Sequence, residues 1–208
     1  MSDGPRIAVL DYGIGNLRSA EKALQHVGAQ ARLVTDPVEV GAADAVVLPG
    51  VGAFGACARA LRESGLEEPA RAALDAGVPF FGVCVGFQLL YEGSAETPGA
   101  EGLGVFGGKV CRLPDGVKHP QMQWNQLEVR SPEAAEPLEG LGERPWVYFV
   151  HSFAPPVGEE TVAVCDYGGP VAALAVRGNL WGAQFHPEKS GATGLALLAN
   201  FVALAAAR

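Results

Sequence analysis

The sequence lacks the features that would place the protein on a nucleic acid or in a membrane. Its 15 lysines and arginines are scattered and outnumbered by 23 acidic residues, so no basic patch predicts a nucleic-acid partner. The longest apolar stretches, Phe80–Tyr91 and Leu195–Ala207, fall short of the about 20 residues that a helix needs to cross a bilayer. Met1–Pro5 has neither the basic nor the apolar part of a signal peptide. We therefore expect a cytoplasmic protein with no membrane or nucleic-acid partner.

Cysteines are few and widely separated. The four are Cys57, Cys84, Cys111 and Cys165. None forms a C-x-x-C pair, which argues against a zinc centre or a dithiol redox site. An even count could form two disulfides, but the missing secretion signal favours reduced thiols. Gly13 and Gly15 follow the first predicted strand without the third glycine of a dinucleotide-binding turn. We expect no metal and no cofactor.

What the first half does contain is an alternation of strand and helix patterns. The chain is 49% apolar and 18% charged, which suits a globular domain with a sizeable core. Buried strands are predicted at 6–10, 31–35, 44–48 and 80–83, and helices at 17–27, 54–63 and 66–76. This order predicts a three-layer α/β fold with a mostly parallel, doubly wound central sheet. Ligands of such sheets bind beyond the carboxyl ends of the strands, where Asp11, Pro49–Gly52 and Cys84 would lie.

The second half carries short strand patterns rich in glycine and proline. They lie at 105–112, 126–129, 146–150, 161–166, 171–176 and 180–184, and a final helix is predicted at 192–206. We interpret these strands as antiparallel hairpins that extend or flank the sheet. Since neither a linker nor a repeat interrupts the chain, residues 1–208 are predicted to form a single domain.

The stretch around Cys84 has the pattern of a catalytic nucleophile. Gly82–Gly86 reads G-x-C-x-G, which is the form of a nucleophile elbow with cysteine in the place of serine. A strand is predicted to end here and a buried helix to begin near Phe87, with N-terminal amides that favour a thiolate. Gln88 lies four residues after Cys84, on the same side of that helix, and is a candidate substrate contact. The pattern alone leaves open that Cys84 is a small buried apolar residue.

A candidate base and its orienting group follow a strand near the other end of the chain. The strand at 180–184 leads into Phe185, His186, Pro187 and Glu188. Pro187 disfavours a helical conformation for His186, and residues two apart in an extended segment face the same way. His186 and Glu188 are therefore predicted to meet. With Cys84, they would form a Cys-His-Glu triad.

Together these motifs resemble a known family, the class I (triad) glutamine amidotransferases, and within it the glutaminase subunits of imidazole glycerol phosphate synthase. The resemblance covers essentially the whole chain. It rests on Asp11–Asn16, Pro49–Phe54, Gly82–Gln88, Tyr148–Phe153 and Phe185–Ser190. The family usually has P-H-M-G-W-N where this chain has Pro120–Asn125, with glutamine at 121 and 123. The chain departs from the family pattern in this segment, which the resemblance places toward the partner.

The resemblance implies a flavodoxin-like fold and a chemistry. Cys84, kept as a thiolate by His186, would attack the side-chain amide of glutamine. Glu188 would hold His186, which would give a proton to the departing ammonia. The amide of Val85, and that of Val51 or Gly52, would bind the oxyanion. Because glycines allow a peptide to turn, this hole would be completed only when a partner docks.

The resemblance also implies a set of binding residues and a partner. The candidate glutamine contacts are Gly50, Gln88, Ser152 and Phe153. The acceptor of ammonia would be a (βα)₈-barrel cyclase that forms a heterodimer with this chain in histidine biosynthesis. Trp124, Asn125 and Lys189 are candidates for that interface, although Lys189 taken alone could be a solvated lysine.

Two other functions stay open at this stage. One is another triad glutaminase, such as the partner of pyridoxal phosphate synthase, which the P-G-V-G loop and the H-P-E-K-S segment disfavour. The other is a non-catalytic flavodoxin-like binding module in which the elbow is fortuitous.

Overall fold

A computed structural model describes residues 4–130 and 136–207. Its helices are α1 (Leu17–His26), α2 (Pro37–Gly41), α3 (Phe54–Glu63), α4 (Glu67–Asp75), α5 (Val85–Gln88) and α6 (Gly191–Ala206). Its strands are β1 (Arg6–Leu10), β2 (Gln30–Val34), β3 (Ala45–Gly50), β4 (Phe80–Cys84), β5 (Tyr91–Ser94), β6 (Phe106–Arg112), β7 (Gln121–Gln126), β8 (Glu128–Val129), β9 (Trp146–His151), β10 (Phe153–Ala154), β11 (Thr161–Asp166), β12 (Pro170–Arg177) and β13 (Leu180–Ala183).

The central sheet has eight strands in the order β2-β1-β3-β4-β13-β12-β11-β8. The first five are mutually parallel, and the last three continue the sheet in antiparallel fashion. Right-handed crossovers place α1 on one face and the helices between β2 and β4 on the other. α6 packs beside α1, which completes the first layer. The mostly parallel three-layer α/β fold with added antiparallel strands is confirmed.

β13 is the strand that joins the two halves of the chain. We expected it to belong to an antiparallel hairpin, and it does pair with β12 in that sense. Its other neighbour is β4, to which it runs parallel, with Ala183 opposite Val83. The expectation of purely antiparallel pairing was wrong, because pairing with a strand about 100 residues away leaves no local mark. The carboxyl ends of β4 and β13 therefore meet at one edge.

The helix after Cys84 is much shorter than expected. It is a single turn, α5, and the chain re-enters a strand at Tyr91. A buried run such as Leu89–Tyr91 cannot be assigned to helix or strand from periodicity alone. α2 was not predicted, and one strand was predicted at 126–129 where the structure has β7 and β8. No helix among residues 4–130 and 136–207 is long and apolar enough to cross a membrane.

Candidate active site

Cys84 sits at a strained turn between β4 and α5. Its φ is 55° and its ψ is −111°, and within the described chain it is the non-glycine residue with positive φ. Such a conformation costs of order 1–3 kcal/mol and is held by the surrounding structure. The flanking glycines allow it. A Cβ on Gly86 would lie 1.8 Å from the Leu48 carbonyl oxygen, and one on Gly82 would lie 2.8 Å from the Gly86 carbonyl oxygen.

His186 and Glu188 meet as expected, but through a different backbone. His186 is extended, whereas Pro187–Lys189 forms a 3₁₀ turn. Within this turn, Nδ1 of His186 donates to Oε1 of Glu188 at 2.8 Å, and both side chains are almost fully buried. The prediction that the two side chains share one side of an extended segment was wrong. The turn brings Glu188 back to the imidazole instead.

The charge state of His186 follows from its two neighbours. Burial lowers its pKa, but the Cys84 sulfur and the Glu188 carboxylate favour the imidazolium more strongly and raise the pKa to about 10. With Nδ1 bonded to Glu188, the other ring nitrogen, Nε2, is buried and has no hydrogen-bond partner among the described residues. The structure thus brings the sulfur, imidazole and carboxylate together, with Nε2 available for proton transfer.

A cavity of about 390 Å³ opens beside Cys84 and His186. Several of the predicted site residues line it, namely Val51, Gly52, Val85, Gln88, Ser152, Phe153 and Lys189. Gly50 and Glu188 lie behind it, next to a much smaller void. The cavity has the size of a small-molecule site, and its wall is formed by both halves of the chain.

A chain of side-chain amides leads from Gln88, in the cavity wall, to the Cys84 sulfur. Nε2 of Gln88 donates to the carbonyl of Phe153 at 2.8 Å and to Oε1 of Gln184 at 3.0 Å. Nε2 of Gln184 in turn lies 3.8 Å from the Cys84 sulfur. Gln184 was not among the predicted site residues. The only sequence signal for it is a polar side chain at the end of an apolar strand, two residues before His186.

Glu96 and His151 are two further wall residues that the motifs did not identify. Oε2 of Glu96 accepts the backbone N–H of Phe54 at 2.7 Å, at the start of α3. Nδ1 of His151 donates to the Phe153 carbonyl at 2.9 Å. Burial, opposed by that bond and aided by nearby His186, lowers the pKa of His151 to about 4. His151 is therefore neutral near pH 7 and leaves the positive charge to His186.

The loop at the end of β3 faces the elbow. Gly50 is opposite Cys84 in the β3–β4 register, and Gly52 has a φ of 90°. Two side chains bond to carbonyls of this loop: the Tyr12 hydroxyl donates to Pro49 at 2.6 Å, and the Cys57 thiol donates to Val51 at 3.2 Å. The loop thus lies next to Cys84, and two of its carbonyls are fixed by hydrogen bonds from Tyr12 and Cys57.

Comparison with known proteins agrees with this geometry. The family model "Glutamine amidotransferase class-I" matches residues 8–205. The imidazole glycerol phosphate synthase subunit HisH of Thermosynechococcus vestitus is 50% identical, covering 96% of this chain and 97% of its own. The HisH subunit of Deinococcus radiodurans is 47% identical, covering 95% and 93%. The chain belongs to the HisH family of class I glutamine amidotransferases.

Solved structures support the same assignment. A crystal structure described as a glutamine amidotransferase superposes on this amidotransferase with a TM-score of 0.75 at 26% identity, covering 96% of this chain and 98% of the other. A chain of PurLQS from Thermotoga maritima has a TM-score of 0.74 at 20% identity, covering 97% and 99%, and shares the fold. The enzyme class expected from the motifs, a glutaminase, is confirmed.

The three residues predicted for a partner interface of this HisH-type amidotransferase have different surroundings. Trp124 lies on β7 and is 48% exposed. Asn125 uses its side-chain amide to bond the Asp166 carbonyl at 2.9 Å. Lys189 borders the cavity. Asn125 therefore holds the segment in place rather than presenting a free amide.

An exposed apolar face surrounds Trp124 on the β7–β9 pair. Met122 and Trp124 are two residues apart and therefore lie on the same face of β7. The register puts Tyr148 opposite Trp124 and Trp146 opposite Gln126. Met122 is 61% exposed and Trp146 is 51% exposed. We define Met122, Trp124 and Trp146 as the apolar face.

Of the two departures from the family motif, Gln121 is buried and bonds to the Cys165 sulfur, whereas Gln123 is exposed.

Proposed function

We propose that this chain is the glutaminase subunit of an imidazole glycerol phosphate synthase and acts in the cytoplasm. It would hydrolyse glutamine to glutamate and ammonia through a thioester on Cys84, and pass the ammonia to a cyclase. The observation that carries the residue assignment is the 2.8 Å bond between His186 and Glu188 beside a cysteine in a strained elbow at a cavity wall.

The chemistry begins with a Cys84 thiolate and a His186 imidazolium. The sulfur attacks the side-chain carbonyl carbon of glutamine, and a C–S bond forms while the carbonyl oxygen takes the negative charge. When this intermediate collapses, the C–N bond breaks and ammonia leaves with a proton from Nε2 of His186. The neutral imidazole then takes a proton from the water that attacks the thioester, which releases glutamate and restores the ion pair.

Backbone amides would stabilise the oxyanion. Val85 follows the nucleophile, and Val51 and Gly52 line the cavity next to the sulfur. Each well-placed donor contributes about 3–4 kcal/mol to such transition states. Gly50, predicted as a glutamine contact, borders the smaller void behind the cavity instead. It would support these amides, because its backbone packs directly against the elbow at Gly86.

The amino-acid end of glutamine would be held by other residues that line the cavity. Gln88 and the backbone of Ser152 and Phe153 supply neutral polar groups there. Glu96 is the acidic residue that lines the cavity, and its second carboxylate oxygen is suited to an α-ammonium group.

Ammonia released into neutral water is protonated and loses its nucleophilicity, so the acceptor must be reached through a closed path. We propose that a (βα)₈-barrel cyclase covers the cavity and forms a heterodimer with this chain. The apolar face and Lys189 would contact it, because exposed tryptophans of this kind are enriched at protein interfaces.

The function is tested by measuring glutamate release with and without the partner. We expect the isolated chain to hydrolyse glutamine slowly. Addition of the cyclase and its nucleotide substrate should raise the rate by roughly 10²-fold, the value of one oxyanion donor brought into place. Ammonium salts serve as the control, since the cyclase should use them without this chain. Equal rates with and without the partner would contradict the partner-completed oxyanion site.

The Glu188→Gln variant tests the role of the carboxylate. The amide oxygen can still accept from Nδ1 of His186. The Cys84 sulfur still raises the His186 pKa, but the contribution of the Glu188 charge is removed. In the parent enzyme the imidazolium proton is lost only as the pH rises through about 10. We expect the alkaline fall in kcat/KM to move to lower pH in the variant, with a loss of roughly 10–10²-fold at pH 8. Profiles from pH 7 to 11 measure this.

The exposed Glu92 offers a matched control, because Glu92→Gln removes the same charge away from the imidazole. An alkaline limb that stays in place in Glu188→Gln would show that the carboxylate does not support the charged His186.

A further inference from the structure

Tyr12 and Cys57 are buried polar residues that the mechanism above does not use. Tyr12 follows β1 and is 5% exposed, and Cys57 lies in α3 and is fully buried. They come from different elements, yet both donate to carbonyls of the same loop, at Pro49 and at Val51. Burial raises the pKa of both groups, so both keep their protons and remain donors near neutral pH.

A hydrogen bond to a peptide carbonyl also fixes the direction of the N–H group of the same peptide unit. The peptide unit is planar and trans, so its C=O and N–H point in opposite directions. The bond from Tyr12 therefore sets the direction of the Gly50 N–H, and the bond from Cys57 sets that of the Gly52 N–H. No side chain of the described residues donates to the carbonyl between them, that of Gly50. The middle peptide, Gly50–Val51, thus lies between two fixed ones.

The contacts also tie the loop to the elbow. A Cβ on Gly50 would lie 2.9 Å from the Tyr12 hydroxyl and 2.7 Å from the backbone nitrogen of Gly86. The hydroxyl, the loop and the turn that carries Cys84 are therefore in one packed unit. A shift of the Pro49 carbonyl would be transmitted to the loop amides beside the cavity.

We propose that Tyr12 and Cys57 are positioning residues of the oxyanion site, which fix the peptides on either side of Gly50–Val51 and restrict rotation to that one peptide. This inference rests on the proposed function of the loop. It gives the two side chains a role in the chemical step without contact to glutamine.

The test compares Tyr12→Phe and Cys57→Ala with the parent chain in complex with the cyclase. Each variant removes one donor and little volume. We expect kcat for glutamate release to fall about three- to tenfold with KM unchanged, because the lost alignment matters only once the oxyanion has formed. Cys57→Ser, whose hydroxyl can donate to the same carbonyl, should recover most of the rate. Tyr91→Phe and Cys165→Ala, which alter buried residues away from the loop, should retain it.

A second measurement distinguishes an effect on the loop from an effect on the reactivity of the Cys84 sulfur. Alkylation of Cys84 by iodoacetamide displaces iodide without forming an oxyanion, so its rate should be unchanged in both variants when followed by mass spectrometry of the Cys84 peptide. Parallel loss of alkylation and hydrolysis would overturn the proposal, as would full kcat in both variants or a failure of Cys57→Ser to recover the rate. If the parent complex itself releases no glutamate, the proposed function fails instead.

Discussion

Replacement of Cys84 by alanine is expected to reduce glutamine hydrolysis by at least roughly 10⁴-fold, because no covalent intermediate can form without the sulfur. The cavity and the remaining contacts of the site should survive the loss of one atom. Glutamine should still bind, and the synthase complex should still use added ammonium salts. The measurements are glutamate release and cyclase turnover with each nitrogen source.

Cys111→Ala and Cys165→Ala are the matched controls for this experiment. Both residues are free cysteines, one exposed and one buried, and neither lines the cavity. They should keep the parent rates with either nitrogen source. Glutamate release from Cys84→Ala at more than a few per cent of the parent rate would assign the nucleophile to another residue.

Gly86→Ala is expected to destabilise the fold by more than about 3 kcal/mol, as overpacking against rigid backbone does. Its Cβ would lie 1.8 Å from the carbonyl oxygen of Leu48, in the middle of β3. β3 is held by the ladder to β4, so it can move only by breaking strand pairing. Urea unfolding should show a much lower midpoint, or the chain should fail to accumulate in soluble form.

Gly41→Ala provides the comparison. Gly41 is in α2, and a Cβ there would meet no atom within 4 Å. Alanine favours a helix over glycine by up to about 1 kcal/mol, so the midpoint should stay the same or rise. An unchanged midpoint in Gly86→Ala would mean that the elbow is not packed against β3 as described.

The sequence was sufficient for the features that depend on local pattern. The parallel strands β1 to β4, the motif at Cys84 and the meeting of His186 with Glu188 were all predicted. The signal for α2 was present but unused: Asp36 precedes Pro37 and its side chain accepts the N–H of Val38 at 2.9 Å, which is the arrangement of a capped helix start. The start of α2 could therefore have been predicted from Asp36 and Pro37 in the sequence.

Other features could not be predicted because they depend on contacts between distant residues. Gln184 reaches the Cys84 sulfur only after β13 has paired with β4. Glu96 joins the cavity wall only after the segment after β5 has folded back onto α3. Cys57 lies in no motif, and the segment Asp11–Asn16 gave its Tyr12 no role. The hydrogen bonds that these two side chains donate become visible only once the loop has a conformation. The assignment of residues 1–208 to one domain stays a prediction.

The parallel pairing of β13 with β4 also governs when activity can arise during biosynthesis. A ribosome that has translated as far as α5 has produced the sulfur but not its base, which follows about 100 codons later. Until that late strand is inserted between β4 and β12, the proposed base, His186, cannot lie beside the Cys84 thiol. Premature release would thus yield an inert fragment rather than an unregulated source of ammonia.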